Sequence, residues 1–439
     1  MNLYIILLGK LIIKVSRLFN LGSGSTWPGH IALKINSKFI EQVIKKNKNL
    51  KIIVIAGTNG KTTSTALIKF LLTKSGKKVF TNSEGANLLN GVASTIIRNV
   101  GIKNLCSLQL NFDFAIFESD ELNLPLLLNK INPDKILILN LFRDQLDRYG
   151  EVNTIALKWL DSLKKLTNKT EVFINGDDPQ LYYIGTKITQ KVHYFGVDKK
   201  LMKLKDIPND VDSIYCPVCL SLLKYNRLSY AHLGDFYCPN CHFKRSGELV
   251  SDFSNAKISY PMNGLYNVYN TNAVLILLKS LIGNQLNQWL AEFSPTFGRQ
   301  EEIIYKGRKI FILLSKNPAG FNQSIQTVSE MTDNKKANFM IVLNNRIPDG
   351  LDVSWIWDVD FKPILSVADN VFISGDRLYD LNLRLKYEDI KNKIQLFENL
   401  TKAIEAIIKI TKEGERIYIL PTYSAMLEVR KILLGRRLL

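Results

Sequence analysis

The residues best suited to chemistry form one unbroken run: Gly57, Thr58, Asn59, Gly60, Lys61, Thr62 and Thr63. Two glycines let a chain turn tightly with its N–H groups facing inward, and hydroxyl residues then open a helix. Free amides and the helix dipole together favour phosphate at such a turn. Lys61 is spaced to reach the β- and γ-phosphates of a nucleoside triphosphate, and Thr62 to ligate Mg²⁺. The usual G-x-x-x-x-G-K-[ST] pattern has a glycine where this chain has Ile55. The bland alternative is a strand–helix turn with incidental glycines. Against it stand the β-branched run before the turn and the helical pattern after it. A second candidate is Glu118, which follows the apolar run 114–117. An acidic residue there either caps a helix or completes a Mg²⁺ site, and a phosphate loop earlier in the chain favours the metal.

Cys216-Pro-Val-Cys219 and Cys238-Pro-Asn-Cys241 are two C-x-x-C pairs with 18 residues between them. That spacing predicts a four-cysteine zinc ribbon, a closed and therefore structural site. A redox pair or an empty site is the alternative. His232 and His242 lie nearby, but four thiolates already fill the shell. Cys106 stands alone, without a glycine elbow or a local histidine, so it offers no nucleophile.

The elements that must hold these groups alternate. Strands are expected at 51–56, 78–81, 113–118, 135–139 and 171–174, with helical segments between, the rhythm of a parallel sheet covered on both faces. The polar stretches 81–87, 117–121 and 140–148 sit where those strands end, which is where an open α/β sheet binds ligands. Residues 205–250 break the rhythm. Helical character returns around 263–270, and strands at 309–314, 339–343, 371–373 and 416–420 predict a second α/β domain. The expected division is an N-terminal segment 1–44, an ATPase domain 45–300 with the ribbon inserted at 205–252, and a C-terminal Rossmann-like domain 301–439.

The 439 residues carry 58 Lys+Arg against 40 Asp+Glu, a net charge of +18. That excess suggests a polyanionic partner: nucleotide, nucleic acid or an anionic membrane. The apolar run 3–8 is too short to span a bilayer, and no cleavable signal stands out. The cysteine usage fits a reducing cytoplasm. Lys10, Lys14 and Arg17 share one helical face within residues 1–20, a basic amphipathic helix that either lies on a membrane or packs on the protein. Residues 22–29 read as a loop.

The phosphate loop, Glu118, Asn175-Gly176-Asp177-Asp178-Pro179, Gly264-Leu265-Tyr266-Asn267, Asn270 and Gly298-Arg299 resemble the Mur ligases in order and spacing. Residues 22–29, the ribbon, Lys316-Asn317-Pro318-Ala319-Gly320 and the stretch 349–358 resemble the amidating branch of that family. The resemblance implies ATP, Mg²⁺ and Zn²⁺, with a carboxylate activated as an acyl phosphate. It implies that Lys61 and Thr62 hold phosphates and metal, that Glu118 holds Mg²⁺, that Asn267 and Asn270 lie on the adenosine side, and that Arg299 contacts the nucleotide from the hinge. It implies amidation of the D-glutamate α-carboxylate of lipid II to D-isoglutamine, with ammonia from a GatD-type glutaminase. This chain has Tyr266 and Lys316 where many Mur ligases have histidines, and it shows no counterpart of their UDP-binding domain.

The stretch Asp349–Asp358 follows an expected strand and holds three carboxylates and two tryptophans. It reads as a domain interface, as a substrate or ammonia site, or, on the resemblance, as the carboxylate that orients the partner glutaminase's histidine, with Asp349 first and Asp352 second. Two rival functions remain at this stage. One is a ligase adding an amino acid, as in other Mur or folylpolyglutamate enzymes. The other is a nucleic-acid-binding NTPase, against which the basic residues are scattered rather than patched.

Overall fold

The computed structural model describes residues 1–19, 26–82, 85–144, 151–247, 250–251, 258–283, 286–295, 297–332, 335–388 and 393–435. Residues 22–25 of the expected loop, positions 83–84 and 145–148 of the polar stretches, and the side chain of Arg17 lie outside them.

A helix over Asn2–Leu18 packs on the body of the protein, burying Ile5, Ile6 and Ile13. Gly9 permits the approach, because a Cβ there would come within 2.8 Å of Ile97. Of the expected basic face, Lys10 is part-buried and donates to the Arg98 carbonyl at 3.3 Å, while Lys14 stays exposed on an otherwise largely apolar outer side. The expected loop is corrected. A helix already begins at Trp27 and runs to Ile35, with Pro28 in its first turn, where a missing N–H leaves no bond unmade.

The first sheet is built from β1 (Lys51–Ala56), β2 (Val79–Thr81), β3 (Phe114–Glu118), β4 (Lys135–Ile138), β5 (Glu171–Asn175) and β6 (Lys191–Phe195). A hairpin of β7 (Lys224–Tyr230) and β8 (Leu233–Tyr237) follows, then β9 (Val250–Ser251) returns to the sheet. The order is β2-β3-β1-β4-β5-β6-β9, and every pairing is parallel. β1 is buried from Ile52 onward, so its sequence reads as an unbroken apolar run. Separate apolar clusters cover the two faces, as a doubly covered sheet requires. Because β1 lies between β3 and β4, the turns after Ala56, Glu118 and Ile138 converge at one edge.

The second sheet holds β10 (Arg299–Tyr305), β11 (Arg308–Leu313), β12 (Ala337–Val342), β13 (Ala368–Ser374), β14 (Lys393–Leu396) and β15 (Arg416–Pro421), in the order β10-β11-β15-β12-β13-β14. Only β10 and β11 are antiparallel, joined through Lys306 and Gly307, both at positive φ (46° and 75°), as a two-residue hairpin turn demands. Strands β6, β7, β8, β9, β10 and β14 have no counterpart among the expected strands. β10 carries Arg299, Gln300, Glu301 and Glu302 on a sheet edge, so its first half looks like a polar linker.

Candidate active site

The phosphate loop sits between β1 and a helix over Lys61–Lys74. Gly60 holds φ at +89°, and a Cβ there would lie 2.1 Å from Asn270 Oδ1, so no other residue fits without moving that amide. Asn270 and Asn267 lie on the helix Leu265–Ile282, both buried against the loop. Thr58 clamps the loop to the turn after β4: its hydroxyl donates to the Phe142 carbonyl and accepts from the Phe142 N–H, both at 3.0 Å. Asn59 N–H donates to Asn140 Oδ1 at 2.8 Å, and Asn140 Nδ2 returns a bond to the Asn59 carbonyl at 3.0 Å. Asn140 was visible only as part of a polar stretch; its position one turn beyond a central strand is the signal that marks it.

Thr62 Oγ1 donates to Glu118 Oε2 at 3.1 Å, so the two expected Mg²⁺ ligands do meet. Burial raises the Glu118 carboxyl above its ordinary range, and the Lys61 charge only partly offsets this. Glu121 is raised in the same way, by burial first, with Lys61 opposing and Asp120 reinforcing. Glu121 Oε1 and Asp144 Oδ1 are buried without a hydrogen-bond partner. Hard carboxylate oxygens with free lone pairs beside a threonine hydroxyl are the donor set that Mg²⁺ takes. Lys61 does not stand clear of the protein: its ammonium donates to the carbonyls of Gly57 and Thr58 and lies 3.7 Å from Glu121.

The C-terminal domain closes on this loop. Asn317 caps the helix Pro318–Met331, accepting from the Gly320 N–H at 2.8 Å. Its amide also exchanges two bonds with Asn59, at 3.1 and 3.2 Å. The pair has one member in each of two clefts. Asn59 lines the first with Gly60, Tyr266, Asn267, Arg299 and Gln300. Asn317 lines the second with Arg143, Asp144, Lys316, Asp349 and Asp352. In the first cleft Arg299 Nε is buried with no partner, and the Tyr266 hydroxyl accepts from Gln300 at 2.9 Å. In the second, Lys316 pairs with Asp144. Burial works against the Lys316 charge, but Asp144 and then Glu121 outweigh it and hold the ammonium above its ordinary range.

Asp349 is buried. Its carboxylate accepts from the Ser424 N–H at 2.7 Å, from the Ser424 hydroxyl at 2.5 Å and from the Arg346 N–H at 3.2 Å. Burial nevertheless raises its carboxyl. Asp352 is exposed and caps Ser354, at 2.8 Å, while Asp358 pairs with Arg143 at 2.9 Å.

The four clustered cysteines converge, with all Sγ atoms within 4.8 Å of one another. Cys216–Cys241 is 3.6 Å and Cys219–Cys238 is 3.4 Å. Zn–S bonds of about 2.3 Å in a tetrahedron require S···S near ~3.8 Å, so the set fits zinc. Leu220 and His242, each just after a second cysteine, take positive φ of 62° and 61°, which is how each turn brings two sulfurs to one side. His232 is instead fully buried, 3.4 Å from Asp178, and takes no part in the cluster.

Two family models match the chain: the Mur ligase middle domain over residues 55–278 and the MurT ligase C-terminal domain over 314–426. The chain is similar to the MurT subunit of the glutamine-hydrolysing lipid II isoglutaminyl synthase of Streptococcus pneumoniae, at 33% identity over 96% of this chain and 95% of that one. It is 29% identical to the subunit of the same name from Staphylococcus aureus, over 90% of each chain. Among solved structures, a pseudomurein peptide ligase type C from Methanothermus fervidus matches with a TM-score of 0.63 at 22% identity, covering 90% of this chain and 81% of that one.

Proposed function

This chain belongs to the Mur ligase family, in its MurT branch, and from that premise we propose how its two clefts carry out the amidation that names its relatives. The reaction is ATP-dependent conversion of a lipid II carboxylate, the D-glutamate α-carboxylate, into the carboxamide of D-isoglutamine. The observation that carries the assignment of groups is the Asn59–Asn317 pair, which seats the phosphate loop at the border between the two clefts.

The first cleft takes the nucleotide. Gly57, Thr58, Asn59, Gly60, Lys61, Thr62 and Thr63 surround its phosphates, with Asn267, Asn270 and Arg299 on the adenosine side. Lys61 leaves the carbonyls of its own loop for the β- and γ-phosphates, a short movement within the loop. Thr62 and Glu118 would hold Mg²⁺, which neutralises charge on the transferring phosphoryl group. The second cleft takes the carboxylate end of the substrate, where Lys316 and Arg143 supply positive charge. The carboxylate oxygen attacks the γ-phosphorus, ADP leaves, and ammonia then displaces phosphate from the acyl carbon.

The cysteines would hold one Zn²⁺ and fold the ribbon. Ammonia comes from a GatD-type glutaminase bound to this subunit. Asp349 lies at that contact and holds the partner's catalytic imidazole in the right tautomer, a role its fixed carboxylate suits. The chain works in the cytoplasm, at the inner face of the membrane that carries its substrate. The amino-acid-adding and nucleic-acid readings are not favoured, because likeness to amidating subunits extends over nearly the whole chain.

The test is reconstitution with a GatD-type glutaminase, lipid II, ATP and glutamine, followed by product mass. Conversion of one carboxylate into a carboxamide is expected. A product carrying an added amino acid, or ATP hydrolysis with lipid II unchanged, would overturn the proposal.

A further inference from the structure

The helix Asn2–Leu18 is docked with apolar residues on both sides. Ile5, Ile6 and Ile13 face the core, while Tyr4, Leu7, Leu11, Val15 and Leu18 recur every three to four residues along the outside. Tyr4 is 74% and Leu18 76% exposed, and Trp27, opening the next helix, is 68% exposed. A surface helix ordinarily turns charge outward, and soluble proteins seldom leave a contiguous apolar stripe of this length uncovered.

We infer that this face is the docking surface for an anionic phospholipid bilayer, with the helix lying flat and its outer side chains in the boundary between headgroups and acyl chains. Seventeen residues span about 25 Å, short of the ~30 Å hydrocarbon core. Among the described residues no helix is long and apolar enough to cross a membrane. Lying flat is therefore the geometry open to it. Tyrosine and tryptophan, apolar rings with one polar tip, are the side chains that settle at that depth. Charge selects the bilayer over a second copy. Exposed Lys14 edges the stripe, and the chain carries +18. Face-to-face pairing would bring two such bodies together, whereas anionic lipid neutralises them. The inference deepens the reading that the substrate is lipid-linked and rests on it for its purpose, not for its geometry.

The experiment is flotation of the full chain with phosphatidylglycerol-containing and pure phosphatidylcholine vesicles, for wild type and for the pair Leu11→Ser with Leu18→Ser. Both positions are exposed, so the fold should survive, which thermal unfolding checks. Wild type should float with the anionic vesicles, and the variant should partition about tenfold less. Equal flotation of the two, or none by either, overturns the inference. So does a dimer in sedimentation that the variant abolishes, since the face would then belong to a second copy. Ammonia-dependent amidation of a soluble, lipid-free substrate analogue should be the same for both proteins. Its absence in wild type would strike the functional reading and leave flotation to judge this surface.

Discussion

At the residue scale, the phosphate loop is fixed by amides rather than by charge. Gly60 admits Asn270, Asn140 clamps Asn59, and Asn59 meets Asn317. Gly60→Ala should therefore cut nucleotide affinity at least about tenfold, because the new methyl must displace Asn270 and the positive φ is lost. Calorimetric titration with ADP checks this, and unchanged affinity would contradict it. Lys61→Ala should lower amidation by a factor of roughly a hundred or more, as loss of a group stabilising the transition state does. Activity near wild type would remove Lys61 from its role. Asp349→Asn should depress glutamine-dependent amidation while sparing the ammonia-dependent reaction. If both fall together, Asp349 serves the synthetase cleft, and if neither falls, it only anchors the turn to Ser424. The sequence made Lys61, Thr62 and Glu118 legible because glycine spacing and strand ends carry a physical meaning of their own. It did not make the amide clamps legible: an asparagine's partners come from distant parts of the chain, and Asn59 and Asn317 are 258 residues apart.

At the element scale, the ribbon is tied to the nucleotide helix by a buried polar chain. Ser229 on the hairpin meets the Tyr269 hydroxyl at 2.8 Å, and that hydroxyl donates to Asp177 at 2.7 Å. Arg245, after the last cysteine, donates to the other Asp177 oxygen at 2.6 Å. Tyr269 stands between Asn267 and Asn270, so the ribbon braces the helix that presents them. Asp177→Ala would leave Arg245 charged and buried without its carboxylate, a loss of about 3–5 kcal/mol readable in denaturant unfolding. A change below about 1 kcal/mol would show that the network does not hold the elements together. Elsewhere in the sheet, burial works against the Glu171 charge, yet the bonds from Lys135 and His193 win and hold its carboxyl down at about 2, below the ordinary 4.5. A depressed folded value means stability that is present above pH 4.5 and lost as pH falls towards about 2. Glu171→Gln should abolish that portion of the acid-induced loss, followed by circular dichroism. Here the sequence was least informative: the cysteine spacing predicts a metal site, but nothing in it shows what the hairpin leans on.

At the scale of the whole molecule, two sheets, parallel but for the β10–β11 pair, belong to domains that meet at the phosphate loop through Asn59 and Asn317. The strand rhythm revealed both sheets, because buried parallel strands are unbroken apolar runs. It missed edge strands such as β10, whose first half is Arg-Gln-Glu-Glu, and β14, which is only four residues long. It left the N-terminal helix open between lying on a membrane and packing on the protein, and the helix packs. Periodicity shows that a helix has faces but not which one the protein covers, and Lys10 is part-buried. The central claim is that the second cleft offers a substrate carboxylate to the nucleotide held in the first. The measurement that tests it most directly follows heavy oxygen from the D-glutamate α-carboxylate of lipid II during ATP-dependent amidation. Activation as an acyl phosphate predicts that one labelled oxygen per turnover leaves in inorganic phosphate; amide product formed with unlabelled phosphate would contradict the account.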